Sequence, residues 1–74
     1  MLTKTQSEAL HWINAYARKH GYGPSYVEIA EGLGYRSLAS VANKVQALED
    51  RGWIKRHPNR ARAIEVLKLP ETEA

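Results

Sequence analysis

Three helices followed by a small antiparallel β-hairpin is the fold class that this sequence predicts, mainly α in content. Three observations carry it. Apolar residues recur at helical spacing in three successive stretches before Gly52, and each stretch opens on a Ser or Thr cap. Glycines follow those stretches, where a left-handed stop is needed. After Gly52 the apolar period drops from about 3.6 residues to about 2, the spacing of a strand. The 74 residues allow one small domain with a modest core.

The first helix starts at Thr3 or Thr5, since Thr3 with Gln6 and Thr5 with Glu8 both form a capping box. Ala9, Ile13, Tyr16, Ala17 and His20 then repeat on one face, flanked by Leu10 and Trp12, and Gly21 stops the helix. Gly21-Tyr22-Gly23-Pro24 is a turn. Ser25 with Glu28 forms a second capping box and opens a short helix expected to bury Val27, Ile29, Ala30 and Leu33 before Gly34 ends it. Ser37 caps the third helix, which runs to Gly52 with Leu38, Val41, Val45 and Leu48 as its apolar stripe. Trp53 to His57, Pro58-Asn59-Arg60 and Arg62 to Leu67 then read as strand, turn and strand. This order describes a winged helix-turn-helix spanning residues 1–68, and residues 69–74 read as a tail or the start of a linker.

The opposite side of the third helix is unlike a solvated face. It carries Ala39, Ser40, Asn43, Gln46 and Ala47, where Glu and Lys would be ordinary. Small residues let a helix approach another surface closely, and carboxamides pair bidentately with adenine edges in the major groove. The formal charge is +3, and Arg51, Lys55, Arg56, Arg60 and Arg62 crowd one segment that has no acid between Arg51 and Ile64. Together these features favour double-stranded DNA as partner.

Other classes find less support. With no cysteine there is neither a disulfide nor a thiolate metal site, and His11, His20 and His57 are too far apart for a local metal motif. No Gly-rich phosphate loop, carboxylate pair or cofactor motif is visible, and no apolar run is long enough to cross a membrane. Ser40 and Lys44 stand one helical turn apart, like a serine–lysine nucleophile pair. An exposed face offers no oxyanion hole and no burial to depress the lysine pKa, so no enzyme and no cofactor are expected. The competing reading is a winged helix that binds another protein, which would present an apolar or acidic groove on the third helix.

Among individual residues, Asn43 is the candidate for base readout, against a solvated polar residue in mid-helix. Gln46 lies on the same side, nearer the carboxyl end. Ser37 is a cap whose hydroxyl is also placed for a phosphate or base. Arg36 and Lys44 flank the face and suit phosphates, and Tyr35 at the inter-helix turn is within reach of the DNA backbone. Lys55, Arg60 and Arg62 belong to the basic hairpin, for backbone contacts or for an Arg in the minor groove. Trp53 is expected to pack on the core, as are Trp12 and the tyrosines.

Leu2-Thr3, Gly23-Pro24-Ser25 with Glu28-Ile29-Ala30, Leu33-Gly34-Tyr35-Arg36-Ser37, Ala47-Leu48-Glu49 and Arg51-Gly52 sit at spacings that resemble the amino-terminal domain of LexA repressors. The likeness runs from Leu2 to about Leu67. It implies a cytoplasmic, bacterial or phage-encoded transcriptional repressor recognising a palindromic, SOS-type operator, monomeric when free and bound as two copies on DNA. It also implies base contacts from Ser37, Ala39, Ser40, Ala42 and Asn43, with hairpin residues on phosphates. Ala39-Ser40-Val41-Ala42-Asn43 departs from the best-known members, so their operator sequence does not carry over. The family's self-cleaving, dimerising domain lies beyond the matched stretch.

Overall fold

Thr3, rather than Thr5, opens the first helix. The computed structural model describes residues 2–57 and 64–69, and in it α1 spans Lys4–His20. Thr3 Oγ1 accepts from the Gln6 amide at 3.1 Å, and Gln6 Oε1 accepts from the Thr3 amide at 3.2 Å. That closes the capping box and leaves Thr5 free to accept from Lys44 Nζ at 3.0 Å. The second box forms as expected at α2 (Tyr26–Leu33), with Ser25 Oγ accepting from the Glu28 amide at 3.2 Å and Glu28 Oε1 from the Ser25 amide at 2.8 Å. The other Glu28 oxygen accepts from Tyr16 Oη at 2.8 Å, so one carboxylate both caps α2 and ties it to α1.

Gly34 takes φ +77°, the left-handed conformation that a residue with a Cβ resists, and it starts the turn into α3 (Leu38–Asp50). Ser37 caps α3 through its hydroxyl, which accepts from the Ser40 amide at 3.3 Å. At the far end Gly52, at φ +82°, redirects the chain into β1 (Ile54–Arg56). β1 pairs antiparallel with β2 (Ile64–Val66) in the register Ile54–Val66, Lys55–Glu65 and Arg56–Ile64. The turn expected at Pro58 to Arg60, and the start of the second strand at Arg62, lie outside the described residues.

Leu10, Ile13, Ile29, Val41, Val45, Leu48, Ile54 and Ile64 make the core, with Ala9 and Ala30 between them. Three expectations about it need correction. Leu10 is central rather than flanking, while Tyr16 and Ala17 are half-buried and His20 is exposed. A 17-residue helix is about 25 Å long, so its last turn overruns a core this small. Val27 is 51% exposed. At about 100° per residue it lies roughly 110° from the centre of the arc that Ile29, Ala30 and Leu33 occupy. Leu38 is 49% exposed, because the first turn of α3 extends past the last core layer.

Trp12, Tyr26, Tyr35 and Trp53 pack against the core as expected, but Tyr22 is exposed. Gly32 makes room for Trp12: a Cβ built on it would collide with the indole ring. Among the described residues no helix is long and apolar enough to cross a membrane.

Candidate nucleic-acid interface

Burying Val41, Val45 and Leu48 turns the other side of α3 outward. Ser37, Ala39, Ser40, Asn43 and Gln46 are exposed, and Ala42 and Ala47 are half-buried at its margin. The Ser37 and Ser40 hydroxyls lie 3.2 Å apart. Among the described residues, none forms a hydrogen bond with the Asn43 side chain. Those residues leave its amide donors and carbonyl acceptor uncommitted.

Gln46 is placed differently. Its Nε2 donates to Asp50 Oδ1 at 2.7 Å, and its Oε1 accepts from Arg56 Nη2. The first contact is an i, i+4 pair along one helix face. The second is not local. Both polar atoms of Gln46 are thus tethered inside the protein, each with one hydrogen-bonding position left over.

The flanking residues divide as well. Arg36 is exposed at the turn, whereas Tyr35 is half-buried and its amide donates to the Ala30 carbonyl at 2.9 Å. The Lys44 ammonium rests on Thr5, and the Ser40 hydroxyl on Ser37, so the two do not form a nucleophile pair. Lys55 is exposed on β1, directly across from Glu65. Arg60 and Arg62 lie outside the described residues. No group of three metal-ligating side chains occurs among the described residues.

Arg56 is the organising residue that local reading missed. Its Nε donates to Glu49 Oε1 at 2.8 Å, its Nη2 approaches the same oxygen at 2.8 Å, and its backbone amide donates to Glu49 Oε2 at 3.0 Å. Its Nη1 donates to Tyr26 Oη at 3.2 Å. The Arg56 amide and then its guanidinium hold the Glu49 carboxyl below its ordinary pKa. Hydrogen bonds to Tyr26, and next to Glu49, push the guanidinium further up. The segment from Arg51 to Ile64 has no acid of its own, yet acids from outside reach it, for His57 Nε2 also meets Glu65 Oε1 at 2.8 Å. No spacing rule joins Glu49 to Arg56, because a helix end and a turn separate them.

The arrangement is thus a helix face of small and polar side chains, preceded by a short helix and a tight turn, with a two-stranded sheet beside its carboxyl end. Among the described residues it brings together no nucleophile–base pair, and its small side chains leave room for another surface to approach closely. Residues 1–63 match the family model described as the LexA DNA binding domain. Over 76 aligned residues the chain is 45% identical to the LexA repressor of Gluconobacter oxydans (strain 621H), an alignment covering the whole chain and 32% of that protein. Over 74 residues it is 43% identical to the LexA repressor of Acidiphilium cryptum (strain JF-5), again with 32% of the relative covered. The chain spans about a third of the length of these curated relatives. It belongs to the LexA DNA-binding domain family.

Proposed function

We propose that this chain is the sequence-reading part of a transcriptional repressor, laying the amino-terminal half of α3 in the major groove of an operator. The observation that carries this reading is the exposed Asn43 side chain, unengaged among the described residues and set among Ser37, Ala39 and Ser40. Asn43 pairs with an adenine edge, Ser37 and Ser40 bond bases or phosphates at the helix entrance, and Ala39 and Ala42 permit close approach. Arg36, Lys44 and Lys55 supply phosphate contacts, with Tyr35 at the turn and Arg60 and Arg62 on the hairpin. For base readout Gln46 keeps only the one N–H and one lone pair that Asp50 and Arg56 leave over, and it pairs bidentately in full only if DNA displaces them.

By family resemblance the operator is palindromic and of the SOS type. The free chain is then a monomer, and two copies occupy neighbouring half-sites, each adding to a joint affinity that one alone lacks.

Selection from random duplexes tests these statements together. The expected result is a short enriched motif occurring twice, bound more tightly than one copy of it, with affinity falling steeply as salt rises. Half-sites in direct repeat would overturn the palindrome and keep the DNA reading. No enrichment, with binding indifferent to salt, would overturn the DNA reading and favour a protein partner. Sedimentation of the free chain checks the monomer.

A further inference from the structure

We propose that Arg56 is a positioning residue for DNA recognition: with Glu49 it braces the hairpin against the carboxyl-terminal half of α3, and it is not itself a phosphate ligand. The inference rests on the DNA-binding reading above.

The geometry of the guanidinium is the first ground. All three of its nitrogens are engaged, with Nε and Nη2 on Glu49, Nη1 on Tyr26, and Nη2 also on Gln46. Nε and Nη2 converge on the one oxygen Glu49 Oε1, a planar two-nitrogen fork that arginine makes and lysine cannot. Four of its five N–H donors are thereby taken, so a phosphate gripping the fork would have to displace the carboxylate, the phenol or the carboxamide already in place.

The second ground is where the partners come from. Tyr26 begins α2, Gln46 and Glu49 belong to α3, and Arg56 ends β1. One side chain therefore joins both helices of the helix-turn-helix to the first hairpin strand. The Glu49 carboxylate also takes the Arg56 backbone amide, so it bonds the strand itself as well as its side chain. Between the two residues lies Gly52, at φ +82°, the turn about which the hairpin would swing if the brace were released.

The third ground is the sign of the charge. Glu49 is an acid on a helix meant to lie against a polyanion. Coulomb's law alone says that removing it tightens DNA binding. A brace says the reverse, because a hairpin no longer held in place brings its cations to the phosphates less well. Opposite signs make the two accounts separable.

The test uses the parent chain, E49Q and R56K on the duplex that the parent selects, titrated across a series of NaCl concentrations. Circular dichroism first establishes the temperature at which each variant is folded. E49Q is expected to bind roughly tenfold more weakly, the scale of one charge-assisted hydrogen bond. Its plot of log affinity against log salt should flatten by about one unit for each phosphate that the hairpin no longer reaches. R56K keeps the charge and loses the fork, and it is expected to weaken binding and flatten the slope in the same direction. Loss of fold stability alone, at a temperature where the variant is folded, would leave the slope as it was.

E49Q binding as tightly as the parent, or more tightly, overturns the brace. So does R56K with parental affinity and slope, which would make position 56 a phosphate ligand. If E49Q does not fold, R56K decides by the same criteria. A parent that enriches no duplex overturns the DNA reading instead and takes this inference with it.

Discussion

The two halves of α3 treat similar side chains in opposite ways. From Ser37 to Asn43 the outward residues other than Leu38 are small or polar, and Asn43 has no side-chain partner among the described residues. From Gln46 to Asp50 the outward residues are bound up with Arg56 and with each other. Asn43 and Gln46 are both carboxamides, three residues apart on one helix face. Their difference is set by a strand that approaches only the carboxyl end. Availability to a partner is thus a property of the tertiary neighbourhood, and residue type alone does not reveal it.

Exchanging the two carboxamides for alanine presses this contrast hardest. Asn43→Ala should cost roughly 1–3 kcal/mol of affinity for the selected site and relax one base position, with little effect on nonspecific binding. Gln46→Ala should leave the selected motif as it is. Repeating the duplex selection with both variants checks this, and an altered motif for Gln46→Ala would erase the distinction between the halves.

Ser37→Ala has a smaller expected effect, of about 1 kcal/mol in stability, because the α3 amide that the hydroxyl accepts from loses its cap. Chemical denaturation measures it. A loss of site affinity at a temperature where the variant is folded would give the hydroxyl a second role on DNA; unchanged affinity would leave it a cap alone.

The pH dependence of the carboxyl-terminal half should be the smallest effect, since the ion pair is partly solvated. Glu49 is held below its ordinary value of 4.5 in the folded chain. Its contribution is therefore fully present above that value and is lost as pH falls through the lower, folded pKa. Thermal melts of the parent and E49Q should differ at neutral pH and converge in acid. A gap that persists unchanged into acid would mean that the Glu49 charge is not what stabilises the contact.

Much of this was legible beforehand, and the exceptions share a cause. The box at Ser25 and Glu28 and the cap at Ser37 are local devices, readable from neighbours three residues apart. The buried run of Val41, Val45 and Leu48 follows from helical period alone. Period gives a direction without a depth, however, so Leu38 on the same stripe proved exposed at the end of its helix. The Arg56 cluster joins residues from three elements and has no signature in any one of them. Glycine is a weak helix former, yet Gly32 within α2 is where the Trp12 indole fits, a contact that local reading missed.

That last contact has an optical consequence. The chain contains two tryptophans, and they stand in different regions. Trp12 lies between α1 and α2, against Gly32. Trp53 immediately precedes β1, with the Lys68 ammonium 4.9 Å from its ring centre and the Leu67 amide donating to its carbonyl at 2.8 Å. Intrinsic fluorescence therefore carries one reporter for the helical pair and another for the root of the hairpin. A chain keeping only Trp53 makes movement of the hairpin visible as a change in emission, with the helices spectrally silent.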